Sequence, residues 1–159
     1  MTAKIHVGEG WDIHRLEPGD GVIIAGIRVA CEYRAIGHSD GDVALHALTD
    51  ALLGAAGLDD IGYHFPPSDN RWKDVSSRKF LQRACDLLDD GGWTVANVDL
   101  TVIFQAVKLN PYRAKMKQLI EKIIPGNPLV NVKFKTAEKL GAVGENKAVE
   151  ARSVVLIKN

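Results

Sequence analysis

At 159 residues, 46% of them hydrophobic, the chain can bury a core without disulfide staples and has the length of one domain, taken here as residues 1–159. Its 20 basic and 20 acidic side chains cancel, which excludes a whole-molecule field that would gather nucleic acid or an anionic membrane, so any anionic ligand must be held by local groups. Cys31 and Cys85 are too few for a zinc ribbon or a disulfide framework and read as buried thiols, no charged-then-apolar leader opens the sequence, and no apolar run approaches the about 18 residues of a membrane span; the expectation is a soluble, cytoplasmic protein.

In chain order, Ile5 and Val7 alternate with His6, and Gly8 and Gly10 lead into Trp11-Asp12-Ile13-His14. In an extended chain Asp12 and His14 point the same way, either as a chemical pair or as polar residues on the wet face of an edge strand. The segment VIIAGIRVACEY reads as a hairpin turning at Ala25-Gly26. Residues 38–62 then read as a loop, a capped helix and an acidic turn. Ser39 suits an N-cap with Asp42 completing the capping box, so the helix is expected to start near Asp40. Ala44, Ala47, Leu48, Ala51 and Ala55 form its core stripe, while Asp42, His46 and Asp50 stack on another face. His46 is thus either held by contacts one turn away with Asp42 or Asp50, or is a metal ligand oriented by a carboxylate.

GLDDIGYHFPPSDNRW follows as a long surface loop carrying Asp59, Asp60 and His64, with Pro66 and Pro67 breaking any helix. A helix is expected over residues 74–90, with Phe80, Leu81, Ala84, Leu87 and Leu88 inward and Gly91-Gly92 as the stop. Val98, Leu100, Val102 and Phe104 alternate along a strand; Pro111 opens a third helix that turns Met116, Leu119, Ile120 and Ile123 inward. Val130, Val132 and Phe134 mark another strand ending at Thr136-Ala137-Glu138-Lys139, GAVGENK reads as a loop, and AVEARSVVLIK as a last strand. This order implies an α+β domain, a mixed sheet with helices mostly on one face, expected in a ferredoxin-like arrangement.

Asp12, His14 and His46 offer two imidazoles and a carboxylate, a donor set that zinc accepts in catalytic sites and that non-haem iron also uses. The company of Lys108, Lys135, Thr136, Glu138 and Lys139, groups that seek phosphate or a divalent ion, favours hydrolytic or phosphoryl chemistry. His6 and His64 read as ordinary surface or interface residues.

GEGWDIHRL, HSDGDVALHALTDALLGAAGLDDIG and KTAEKLG together resemble, in order and spacing, the three motifs of the 2-C-methyl-D-erythritol 2,4-cyclodiphosphate synthase family, over essentially the whole chain. The resemblance implies a lyase of isoprene biosynthesis by the non-mevalonate pathway, which cyclises 4-diphosphocytidyl-2-C-methyl-D-erythritol 2-phosphate and releases CMP. It implies zinc on Asp12, His14 and His46, and a magnesium or manganese ion on Glu138. It places His38 and Ser39 at the substrate phosphate, Asp60 at the erythritol hydroxyls, with Gly62 and Phe65 nearby. Phe104, Val107, Lys108, Leu109, Phe134, Lys135 and Thr136 fall on the nucleotide side, and the active sites would lie between the subunits of a homotrimer.

Three positions depart from the family pattern: Lys135 where threonine is common, Val107 where proline usually precedes the lysine, and Glu145 where an arginine that helps hold a prenyl diphosphate on the trimer axis is frequent. A zinc phosphoesterase on another nucleotide or phosphosugar, using the same triad with water as nucleophile, is the alternative reading. A structural zinc is a further one, although such sites normally close with cysteines.

Overall fold

The computed structural model describes residues 4–159, so residues 1–3 of the expected domain lie outside the described residues. Strand β1 (Ile5–Pro18) sets Gly8, Gly10, Asp12, His14 and Leu16 on one face by simple alternation. β2 (Val22–Ile24) and β3 (Ile27–Val29) form a separate hairpin, turning through Ala25 and Gly26 at φ 49° and 74°, the left-handed pair that a tight hairpin turn requires. The remaining strands are β4 (Tyr33–Ile36), β5 (Thr94–Ile103), β6 (Leu129–Lys135) and β7 (Ala148–Lys158), giving a five-stranded sheet in the order β4-β1-β7-β5-β6.

Its pairings are antiparallel except β5 with β6, which run parallel because helix α4 (Arg113–Ile123) carries the chain back between them. The ferredoxin-like arrangement expected from the sequence is corrected on this point. That arrangement needs a hairpin between the middle strands, whereas here a helix stands in that place. The α+β reading and the mixed sheet hold.

One face of the sheet is apolar and covered. Val98, Leu100 and Val102 of β5, Val130 and Val132 of β6, and Val149, Ala151, Val155 and Ile157 of β7 are all buried. Helix α1 (Val43–Ala56) lies across β1 and β7 on this face, α3 (Ser77–Asp90) packs on α1, and α4 packs beside β6. Two short helices, α2 (Ile61–His64) and α5 (Gly141–Gly144), occupy segments that the sequence reads as loops. Each is a single turn, too short to show a hydrophobic period.

Helix starts differ from expectation for identifiable reasons. α1 begins at Val43 with Asp42 as N-cap, whose Oδ1 accepts the Leu45 N–H at 3.0 Å and that of Ala25 at 2.9 Å, while Oδ2 accepts from Gly26. The cap thereby also ties down the hairpin turn, a tertiary role that Ser39 could not fill. α3 starts at Ser77 after its N-cap Ser76, because Asp74 sits at φ 58°, outside helical space. In α4, Met116 and Ile120 are buried as expected, but Leu119 and Ile123 are only half-buried and line an outer groove with Ile27. Cys85 is buried and its thiol is pushed up to about 12 by that burial, whereas Cys31 is only half-buried.

Of the described glycines, those pressed closest to a neighbouring backbone lie between α1 and β1. A Cβ on Gly8 would stand 2.0 Å from the Ala51 carbonyl oxygen, and one on Gly10 1.9 Å from that of Ala47. The helix backbone therefore rests on the strand backbone, which brings the first turn of α1 over Asp12 and His14. Gly10→Ala is expected to lower the free energy of unfolding by about 3 kcal/mol, through backbone displacement. Urea unfolding checks this; an unchanged midpoint would show that the helix does not depend on that glycine.

Candidate metal centre

β1 is paired with β7 from Ile5 to Arg15 but with β4 only from Arg15 onward, so Asp12 and His14 sit where one edge of the strand has opened. His46, in the first turn of α1, faces them across the close contact. Asp12 Oδ2 lies 2.9 Å from His14 Nε2 and 3.0 Å from His46 Nδ1, and the two imidazole nitrogens are 3.1 Å apart. Among the described residues this is the one cluster of three such groups able to share an ion. A tetrahedral zinc with bonds near 2.0–2.1 Å separates its donor atoms by roughly 3.3 Å, so the triangle needs to open by only a few tenths of an ångström. The donor set and its shape fit the ion.

The far side of each ring is held. His14 Nδ1–H donates to the Ile36 carbonyl at 2.9 Å, which leaves Nε2 as the atom turned to the cluster. His46 Nε2 lies 2.8 Å from Ser77 Oγ and 2.9 Å from Ser39 Oγ. Neither acid expected beside His46 from helix spacing makes that contact. Asp42 is spent on the backbone N–H groups of the cap and hairpin, and Asp50 accepts the Ile61 N–H at 2.9 Å.

Burial alone would favour a neutral Asp12, but the hydrogen bonds and charges of His14 and His46 outweigh it and hold its carboxyl far below the usual range. Burial likewise opposes the charge on His14, and the bond and charge of Asp12 overcome it, raising that imidazole above its ordinary 6.5. A proton on His14 Nε2 then occupies the centre of the triangle, where a cation would go.

The three groups open into a cavity of about 200 Å³ lined also by His38, Ser39, Ile61, Gly62, Phe65, Pro67, Trp72 and Phe80. His38, Ser39, Gly62 and Phe65 thus join the triad as the sequence anticipates. Asp60 caps α2 through the Tyr63 N–H and borders the cavity rather than lining it. Sequence reading missed Ser77, Trp72 and Phe80. Phe65 stacks on Phe80 with centroids 4.6 Å apart, and the Trp72 indole N–H is buried without a partner.

Phe104, Val107, Lys108, Leu109, Phe134, Lys135 and Thr136 line a different cavity of about 480 Å³, which shares no residue with the first. Arg113 sits over the Phe134 ring at 5.1 Å. Glu138 is exposed just beyond, at φ 52°, and its carboxylate accepts from Thr136 Oγ1 at 3.2 Å. His64 Nε2 bonds the Leu58 carbonyl and His6 Nδ1 that of Ala55, both ordinary structural contacts. Glu145 pairs with Lys147.

A family profile described as the YgbB family matches residues 5–158. The chain belongs to the YgbB family. Curated YgbB relatives named 2-C-methyl-D-erythritol 2,4-cyclodiphosphate synthase include one from Xanthomonas axonopodis pv. citri, 45% identical over 99% of this chain and 95% of the relative. Another, from Solibacter usitatus, is 46% identical over 98% and 99%. Among solved structures, a 2C-methyl-D-erythritol-2,4-cyclodiphosphate synthase in a form bound to CDP matches with TM-score 0.87 and 38% identity, covering 95% of this chain and 99% of that one. The bifunctional IspDF from Campylobacter jejuni matches with TM-score 0.92 and 35% identity over 99% of this chain, which corresponds to 43% of that longer protein.

Metal ligation requires a neutral imidazole, and the raised His14 value extends proton competition upward in pH. Zinc affinity of the protein is therefore expected to fall by about tenfold or more between pH 8 and pH 6, the sense set by one proton displaced per ion. Competition titrations at the two pH values measure it; equal affinities would contradict the shared centre.

Proposed function

We propose that this chain is a 2-C-methyl-D-erythritol 2,4-cyclodiphosphate synthase, a lyase of isoprene biosynthesis acting as a homotrimer in the cytoplasm. The observation that carries the reading is the Asp12–His14–His46 triangle, opening into a cavity with His38 and Ser39, in a chain of the YgbB family. The full-length likeness to synthases, one of them bound to CDP, supports it. Nothing found favours the phosphoesterase.

In this reading Asp12, His14 and His46 hold zinc, and Glu138 holds a magnesium or manganese ion. The ions supply charge neutralisation at phosphoryl oxygens, the main obstacle when two anions must meet. His38 and Ser39 hold the phosphate on C2, and Asp60 the erythritol hydroxyls. Segment 104–109, with Phe134, Lys135 and Thr136, holds the cytidine diphosphate, whose charge Lys108 and Lys135 offset. An oxygen of the C2 phosphate bonds to the diphosphate phosphorus nearer the erythritol, and the bond from that phosphorus to the bridging oxygen breaks, releasing CMP. Both ends belong to one bound molecule, and good orientation in such cases is worth about 7–11 kcal/mol. No protein nucleophile takes part.

The trimer draws support from the uncovered sheet face. Ile5 (61% exposed), Val7 (64%), Trp11 (48%) and Val154 (44%) project there, away from the helices. Large apolar side chains exposed together on one sheet face, among Glu9, Arg152 and Lys158, support association through that face. It also lets the two cavities, separate within one chain, meet across a subunit boundary.

Phosphorus NMR of the purified protein with 4-diphosphocytidyl-2-C-methyl-D-erythritol 2-phosphate, zinc and magnesium tests the reaction. CMP and two coupled cyclic diphosphate resonances are expected. Inorganic phosphate in their place would establish the phosphoesterase.

A further inference from the structure

We propose that Ser77, anchored by Asp40, is the positioning residue that fixes His46 for metal binding, an inference that rests on the metal-centre reading above. Ser77 is fully buried at the start of α3, and its hydroxyl, 3.4 Å from Ser39 Oγ, makes its two closest contacts with groups of opposite demand. Asp40 Oδ1 is in very close contact with Ser77 Oγ, and Asp40 Oδ2 accepts the Ser77 backbone N–H at 3.0 Å. A carboxylate can only accept, so the single hydroxyl proton of Ser77 goes to Asp40. What Ser77 then turns to His46 Nε2, 2.8 Å away, is a lone pair.

That assignment selects the tautomer. To ligate an ion as a neutral ring, His46 must keep its proton on Nε2 and give up any on Nδ1, the atom 3.0 Å from Asp12 Oδ2 and 3.1 Å from His14 Nε2. A carboxylate behind a ligating histidine is the usual way to fix such a ring, and here a serine relays it. His14 needs no such device, since a backbone carbonyl, that of Ile36, does the same for it.

Ser39 Oγ also lies within reach of His46 Nε2, at 2.9 Å, but it is only partly buried and lines the cavity beside His38. A hydroxyl there can turn to a bound phosphate. Ser77 cannot turn away, because Asp40 holds both its hydroxyl and its amide. The ring therefore stays oriented when substrate engages Ser39.

Zinc affinity, measured by competition with a chromophoric chelator, tests the proposal without recourse to activity. Ser77→Ala is expected to weaken zinc binding about 10- to 100-fold, while Ser77→Thr, which keeps the hydroxyl, stays within about threefold of the unaltered protein. The α3 cap is Ser76, so the helix start does not depend on the hydroxyl removed. Tight zinc binding by the unaltered protein and an equal affinity in Ser77→Ala would overturn the positioning role alone. The same loss in Ser77→Thr as in Ser77→Ala would overturn it too, since the hydroxyl would then be irrelevant. Failure of the unaltered protein to bind zinc would overturn the metal centre itself and the proposal with it.

Discussion

The seating of helix α1 directly on the backbone of strand β1 is the constraint on which the rest depends. Gly8 and Gly10 share a face with Asp12 and His14, so the positions that admit the helix and those that carry ligands form one alternating stripe. On the helix side Ala47, Ala51 and Ala55 keep the approach short, and all three are buried. His46 lies one residue before Ala47, which places its ring at the end of the contact, where the stripe changes from glycine to ligand. A side chain larger than hydrogen at either glycine would meet the helix backbone at about 2 Å and force the two elements apart.

Around that contact the structure spends its buried and half-buried carboxylates on geometry rather than on charge. Asp42 fastens the hairpin turn to the helix start, and Asp40 fastens the start of α3 to the loop before α1. Three elements distant in sequence are thereby indexed to the same few residues. Asp12 differs in turning one oxygen, Oδ2, to two imidazoles while Oδ1 accepts the Ile13 N–H, and its side chain is still 30% exposed. That partial exposure is what a ligand reaching the centre from the cavity requires. With the chain's formal charge balanced, Lys108 and Lys135 on the second cavity's wall are a local source of positive charge.

Much of this was legible in the sequence because it is periodic or local. The alternation of Val98, Leu100 and Val102, the stripe on α1, the Ala25-Gly26 turn and the Asp12–His14 pair each follow from spacing of two, four or one residues. The relay behind His46 was not legible, because Asp40 and Ser77 are 37 residues apart and Ser77 looks like half of an ordinary Ser-Ser helix cap. Helix spacing pointed instead to Asp42 and Asp50, which backbone N–H groups had already claimed. The parallel β5–β6 pairing was hidden for a related reason: alternation identifies strands without stating their neighbours. The resemblance to known motifs supplied the ligand triad as a set, whereas the residues alone gave only a pair on a strand and a histidine on a helix.

The most direct test of the central claim is X-ray absorption at the zinc edge on the zinc-loaded protein. Two imidazole nitrogens and one carboxylate oxygen are expected at about 2.0–2.2 Å, with one further light-atom ligand and no sulfur. Sulfur scattering, or a spectrum unchanged by His46→Ala, would place the ion elsewhere and contradict the account.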